Sequence, residues 1–278
     1  MSDRSWKPRT DSGRDFPALV AGEPDRTVLA FDFDGTLAHI VPNPEDSRLA
    51  PAAAAAFEEL AGMVGQIAII TGRPVATIER LVQPNQRPGL DKAIVFGQYG
   101  VERWNVATGE RRDPPVPAAV SAAAKDVGEL LASWPGAYLE DKGRAVAVHT
   151  RRAEDPLGAF EALREPVAAI ARRHDLVVEP GKLVWELRST VLDKGDALRE
   201  LVDEYQPTRV LMAGDDLGDL AAFEALEELR DHGAVTCALV SGSEEQRAIA
   251  EHADVLCEGP DGVAAWLTML AERLRQTP

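Results

Sequence analysis

Residues Thr27-Val28-Leu29-Ala30-Phe31-Asp32-Phe33-Asp34-Gly35-Thr36-Leu37 form an apolar, β-prone run that ends in two carboxylates and breaks at a glycine. A strand sends alternate side chains to the same side, so Asp32 and Asp34 leave the sheet in similar directions. Two acids held that close repel unless a cation sits between them, and the repulsion raises one pKa. Hydrolases use such a pair as a nucleophile and a proton-transfer partner beside a metal. The non-catalytic alternative is a solvated Asp-Gly turn at a strand end.

A second apolar run, Val210-Leu211-Met212-Ala213, ends in Gly214-Asp215-Asp216-Leu217-Gly218-Asp219. In a parallel sheet these acids would share the edge that carries Asp32 and Asp34. A hard cation such as Mg²⁺ takes oxygen ligands, usually one or two carboxylates with waters and a substrate phosphate. Asp32, Asp215 and the main-chain carbonyl of Asp34 would meet that demand, with Asp216 and Asp219 as further acids nearby. Asp219 lies four residues after Asp215, at the start of the following helix. There it could bind the metal's water shell or favour the helix N-terminus, and both readings stay open.

Two more positions would complete a phosphate site. Thr71 ends a strand before Gly72-Arg73-Pro74, where its hydroxyl, Gly72, Arg73 and nearby helix N–H groups are candidates to bind phosphate oxygens. Lys194, in Asp193-Lys194-Gly195-Asp196, opens a helix and could neutralise both phosphate and aspartate charge. Each is ordinary alone: a strand-end threonine, a solvated lysine. In this order and at these strand ends they read together as a site.

The elements that must position these groups alternate. Strands are expected over 27–33, 66–71 and 92–97, and helices over 51–63 and 74–82, where Pro51 and Pro74 suit a first helical turn. That alternation predicts a parallel sheet with helices on both faces. After about Arg111 the pattern changes. Asp113-Pro114-Pro115-Val116-Pro117 is stiff linker chemistry, followed by helix 118–133, a hairpin of 137–140 and 144–150, helix 156–174, and a hairpin of 176–179 and 183–188. The first pattern then returns as helix 194–204, strand 208–213, helix 218–229, strand 234–240, helix 243–252, strand 253–257 and helix 261–274. The fold class expected is therefore α/β, a doubly wound parallel-sheet core (25–111 and 189–278) with an inserted α+β domain at 112–188 that would form a lid over the strand ends. Residues 1–24 are polar and without periodicity, and read as a disordered or loosely attached lead.

Composition narrows the classes further. At 278 residues and 45% hydrophobic the chain can bury a substantial core, yet no run of eighteen apolar residues appears. The first residues lack the apolar stretch of a secretory signal, which points to a cytoplasmic protein. Cys237 and Cys257, the two cysteines, both sit in apolar runs and read as buried free thiols. A net charge of −16 argues against nucleic acid as a partner.

The order Asp-x-Asp-Gly-Thr, Thr71, Lys194, then Gly-Asp-Asp with a further Asp resembles the haloacid dehalogenase superfamily of phosphohydrolases. The resemblance implies Asp32 as a nucleophile forming an aspartyl-phosphate and Asp34 as acid, then base. It makes the inserted domain a cap. Within that cap, Tyr138-Leu139-Glu140-Asp141-Lys142-Gly143 with His149-Thr150-Arg151, and Glu179-Pro180-Gly181-Lys182 before Trp185-Glu186-Leu187-Arg188, resemble the trehalose-6-phosphate phosphatases. Gly97-Gln98-Tyr99-Gly100-Val101-Glu102 is similar to that family's Gly-x-His-Gly-x-Glu element. By this likeness Lys142, His149, Arg151, Lys182 and Glu186 hold the sugar or steer its phosphate; Trp185 could stack on a sugar ring or belong to the core. Three places depart from the family pattern: His39 stands where it carries Pro, Tyr99 where it carries His, and Leu217-Gly218-Asp219-Leu220-Ala221-Ala222 lacks its later acids. The expectation is an Mg²⁺-dependent phosphatase for trehalose 6-phosphate. The alternatives are a phosphatase for another glycosyl phosphate, a phosphohexomutase, and a sugar-phosphate sensor without turnover.

Overall fold

The computed structural model describes residues 5–60, 62–181, 183–189, 192–242 and 249–277. The chain divides into two compact units, one of residues 1–113 with 192–278 and one of residues 114–191.

The first unit begins with β1 (Trp6–Pro8) and α1 (Asp11–Gly22). It continues through β2 (Thr27–Phe31), α2 (Pro51–Leu60), β3 (Gln66–Ile70), α3 (Val75–Val82), β4 (Ile94–Gly97), β5 (Glu102–Asn105) and β6 (Arg111–Arg112). The second unit holds α4 (Ala118–Leu131), β7 (Tyr138–Asp141), β8 (Ala145–His149), α5 (Pro156–Arg173), β9 (Val177–Gly181) and β10 (Val184–Arg188). The chain then returns to the first unit with α6 (Lys194–Tyr205), β11 (Arg209–Gly214), α7 (Leu220–Asp231), β12 (Val235–Ser241), β13 (Val255–Cys257) and α8 (Gly259–Gln276).

Nine strands form the large sheet in the order β1-β13-β12-β11-β2-β3-β4-β5-β6, and the six from β13 to β4 run parallel. Period-two alternation sorts the side chains of those strands into two cores. Leu29, Phe31, Ile67, Ile69, Leu211 and Leu239 pack on one face with α1, α2, α3 and α8. Val28, Ala30, Ile70, Met212 and Val240 pack on the other with α6 and α7. Both faces are covered, which is why these strands read as continuous apolar runs. The strand order reverses between β2 and β11: β3 and β4 extend one way, β12 and β13 the other. In open α/β sheets the ligand crevice lies outside the carboxyl ends at such a switch point.

In the second unit β7-β8-β10-β9 form an antiparallel sheet. Val146, Val148, Trp185 and Leu187 pack one face of it against Val120, Val127, Leu163 and Val167 of α4 and α5.

The lead differs from expectation. Lys7 of β1 pairs with Leu256 of β13, and Thr10 caps α1 by accepting from the Gly13 N–H at 3.1 Å. Phe16 and Val20 are fully buried. The contact stripe of α1 is Gly13, Phe16, Pro17 and Val20, so two of its four members carry no apolar signal. Gly13 is required by close approach, since a Cβ there would lie 2.1 Å from the Asp254 carbonyl oxygen. The sequence reading also missed β5 and β6, whose polar composition hides their pairing at the edge. The expected helix over 243–252 falls mostly on residues 243–248, which lie outside the described residues; Ala250–His252 is a single 3₁₀ turn.

Because Phe16 fills space in the main core, Phe16→Ala should cost about 3 kcal/mol of stability. Urea unfolding followed by circular dichroism reads this directly, and a midpoint unchanged from wild type would return residues 1–24 to the status of a loose lead.

Candidate active site

Two strand ends deliver the acids. At β2, the Asp32 N–H donates to the Ala213 carbonyl at 2.8 Å, which ties the turn to the neighbouring β11. Gly35 follows with φ +78°, and a Cβ there would lie 2.2 Å from the Asp215 carboxylate, so only glycine lets the two strand ends approach. The Gly35 carbonyl accepts from the Ser241 hydroxyl at 2.7 Å, bringing the end of β12 into the same support. At β11, Asp215 and Asp219 are buried. One oxygen of Asp219 accepts from the N–H groups of Asp215 (2.9 Å) and Asp216 (3.2 Å). Asp216, half-buried, spends its carboxylate on capping the next turn through the Gly218 N–H at 2.9 Å.

Lys194 comes from the start of α6. The Asp193 carboxylate accepts from the Asp196 N–H, and the Asp196 carboxylate accepts from the Asp193 N–H; this reciprocal cap fixes where the helix begins. Lys194 is thereby buried, with its Nζ donating to Asp32 and to the second Asp219 oxygen, both at 2.7 Å. Of the two readings above, the structure shows the second, Asp219 serving the N–H groups where the next helix begins, and adds a contact with Lys194. It organises its own loop and holds the lysine.

Carboxylate oxygens of Asp32, Asp215 and Asp219 lie within 4.8 Å of one another, all buried. Burial pushes the Asp32 and Asp219 carboxyls up against the pull of Lys194. Burial works against Lys194 as well, but the charges of Asp219 and Asp32 outweigh it and hold its pKa well above the ordinary value. Asp215 is pushed up to about 8, first by burial and then by Asp216 and Asp219. Three buried acids share one ammonium, so this donor set is short of positive charge and suits a hard divalent cation.

Asp34 sits apart from this cluster. Its carboxylate accepts a two-point fork from Arg73, Nε to Oδ2 at 2.5 Å and Nη2 to Oδ1 at 2.7 Å, and a third bond from the Ser47 hydroxyl at 3.1 Å. Thr71 is buried at the end of β3, where its hydroxyl accepts from the Arg73 N–H at 3.2 Å. Gly72 lies under the Tyr99 ring: a Cβ on it would be 2.9 Å from the Tyr99 hydroxyl. The Val75 N–H at the head of α3 donates to Glu102 at 2.6 Å, a cap the sequence reading did not assign. Ser47 was also missed; it lies in a polar loop with no motif to mark it.

In the second unit, Lys142 Nζ meets Glu186 Oε2 at 2.6 Å, while Glu186 Oε1 is buried without a hydrogen-bond partner among the described residues. His149 meets Glu140 at 2.8 Å and stacks on Tyr138 with ring centroids 4.8 Å apart. Arg151 is exposed beyond the end of β8. Lys182 lies outside the described residues. Trp185 stacks on Phe160 at 4.3 Å and donates to the Phe160 carbonyl at 2.9 Å, which makes it a core aromatic.

A doubly wound sheet with this acid set at its switch point, and with a separate α+β unit inserted, defines a haloacid-dehalogenase-like hydrolase. The chain belongs to the trehalose-phosphatase family, whose model matches residues 30–257. It is 30% identical over 227 residues to a probable trehalose-phosphate phosphatase of Sinorhizobium fredii, covering 78% of this chain and 80% of that one. It is 33% identical over 270 residues to the trehalose-phosphate phosphatase of Mycobacterium tuberculosis, covering 94% of this chain; the chain spans 64% of that relative's length. In fold it is similar to the C-terminal domain of the Candida albicans trehalose-6-phosphate phosphatase, with a TM-score of 0.74 over 95% of this chain and 98% of that one at 23% identity.

The Asp215 environment gives a signed pH effect. Its folded value of about 8 lies above the ordinary 3.8. Its contribution to stability is therefore fully present below about pH 4 and is lost as pH rises toward 8. In chelator the thermal midpoint should fall across that window, Mg²⁺ should restore it, and Asp215→Asn should flatten the slope. A midpoint that rises or stays level over this range in metal-free wild type would contradict the buried-acid description.

Proposed function

We propose that this protein is an Mg²⁺-dependent phosphatase that releases phosphate from trehalose 6-phosphate. The observation that carries the proposal is Lys194 held between Asp32 and Asp219, with Asp215 beside them. That arrangement supports Asp32 as the attacking group, with Lys194 beside it, and leaves a deficit of positive charge that Mg²⁺ would make good for a phosphoryl group.

Asp32 and Asp215, with the main-chain carbonyl of Asp34, would hold Mg²⁺, which supplies charge neutralisation to a transferring phosphoryl group. The remaining chemistry belongs to the chain. Asp32 presents a buried oxygen, oriented by Lys194, to phosphorus. Asp34 gives a proton to the departing sugar oxygen and later takes one from the water that releases phosphate. Lys194, the Thr71 hydroxyl and the Gly72 main chain balance charge on the phosphoryl oxygens. In the inserted unit, Glu186 and Lys142 form a partly buried pair whose spare acceptor, Glu186 Oε1, suits a sugar hydroxyl. His149, Arg151 and Lys182 are the further residues proposed to meet the sugar phosphate. The relatives named as trehalose-phosphate phosphatases support this substrate. Among the described residues no helix is long and apolar enough to cross a membrane. Two buried free cysteines fit a reducing cytoplasm.

The test is phosphate release from trehalose 6-phosphate, sucrose 6-phosphate, glucose 6-phosphate and a glycosyl phosphoglycerate, each with Mg²⁺ and with chelator. A strong, metal-dependent preference for trehalose 6-phosphate is expected. Asp32→Asn should abolish turnover while the thermal midpoint stays close to wild type; residual activity above a few per cent would remove Asp32 as nucleophile. Glu186→Gln should raise KM for the sugar phosphate several-fold and leave p-nitrophenyl phosphate hydrolysis nearly unchanged. An equal loss on both substrates would assign Glu186 to the fold instead.

A further inference from the structure

We infer that Arg73 and Ser47 form a cradle that orients the Asp34 carboxylate for proton transfer, so that Arg73 acts through Asp34 and not as a phosphate ligand. The inference rests on the assignment of Asp34 as the acid–base group.

Asp34 needs such a device. Its side chain is 37% exposed, so burial does not fix its rotamer, unlike the fully enclosed Asp219. Three donors from two segments do so instead: Nε and Nη2 of Arg73 and the hydroxyl of Ser47. The cradle is itself anchored. Arg73 Nη1 donates to the Pro44 carbonyl at 2.9 Å, and the guanidinium lies 5.6 Å from the Phe33 ring centroid. The Arg73 main chain is held at both ends, its N–H on Thr71 and its carbonyl accepting from the Gln98 N–H at 3.0 Å. Ser47 is fully buried in the loop that Pro44 begins. Arg80 reaches Glu45 at 2.5 Å in the same loop. One guanidinium therefore ties the proton-transfer group to the loop that flanks it, with three of its donor positions committed. A lysine could supply the charge but not the fork.

The chemistry provides a readout that a structural or phosphate-binding role would not move. In the first step an Asp32 oxygen bonds to phosphorus and the bond from phosphorus to the ester oxygen breaks. That oxygen leaves with the electron pair. A sugar alkoxide must receive the proton from Asp34, whereas p-nitrophenolate departs without one. Values of kcat/KM report this step for both substrates, whichever step limits kcat.

The experiment compares kcat/KM of wild type, Arg73→Ala, Arg73→Lys, Ser47→Ala, Asp34→Asn and the Arg73→Ala/Asp34→Asn pair on trehalose 6-phosphate and p-nitrophenyl phosphate, with thermal midpoints for each. Arg73→Ala is expected to lose about a hundredfold on the sugar phosphate and less than tenfold on the aryl phosphate. Arg73→Lys should recover little, and millimolar guanidinium should partly restore Arg73→Ala. Ser47→Ala should show the same substrate split at smaller size. In the Asp34→Asn background, removing Arg73 should cost nothing further. Equal losses on both substrates, or a full additional loss in the double variant, would overturn the inference and return Arg73 to phosphate binding. If wild type turns over neither substrate, the proposed phosphatase function fails, and if Asp34→Asn loses equally on both substrates, the assignment of Asp34 as acid–base fails; both results differ from an unsplit Arg73→Ala beside a split Asp34→Asn.

Discussion

Everything at the candidate site depends on one buried ammonium. Lys194 Nζ stands 2.7 Å from both Asp32 and Asp219, and all three groups are almost fully withdrawn from solvent. Taking such charges out of water costs several kcal/mol per ion, and attraction repays it only where the geometry is good and the remaining lone pairs are satisfied. The surroundings meet those terms. Asp219 gives its second oxygen to two main-chain N–H groups, and the Asp32 main chain is locked to β11. The triad therefore requires a rigid frame, and the six parallel strands with both faces covered supply it.

The same interaction explains why the chain is organised as it is. Asp32 and Lys194 are separated by 162 residues, and the whole second unit lies between them in sequence. The lysine occupies the point where the chain returns to the sheet, and its reciprocal cap sets that point to within a residue. An inserted unit can vary in sequence and length while its exit remains pinned by that cap.

Much of this was legible in the sequence, for physical reasons that differ by residue. The strands β2 and β11 are buried on both faces and so appear as unbroken apolar runs ending in acids. Lys194 and Asp219 carry charge at helix starts, where residue type and position are both informative. The lead was misread because Gly13 and Pro17 serve as contact residues in α1 without being strongly apolar. The fork between Arg73 and Asp34 was invisible for another reason: it joins residues 39 apart through side-chain geometry. Arginine beside a strand-end threonine suggests phosphate whether or not it already serves an aspartate. Asp216 illustrates the reverse case, an acid in the motif whose carboxylate caps a turn. Trp185 had two readings, and its indole N–H on the Phe160 carbonyl assigns it to the core of the inserted unit.

The strand β1 has a consequence for the molecule at high concentration. Without it, β13 would present an open row of N–H and C=O groups to any passing chain, and such rows template aggregation. Lys7 and Pro8 fill that row: the proline offers no N–H outward, and the lysine carries charge along the rim. At the far side the sheet ends in Arg111 and Arg112 of β6, a two-residue strand of like charge. Both described rims of the nine-stranded sheet are thus short and carry residues that disfavour the addition of a further strand.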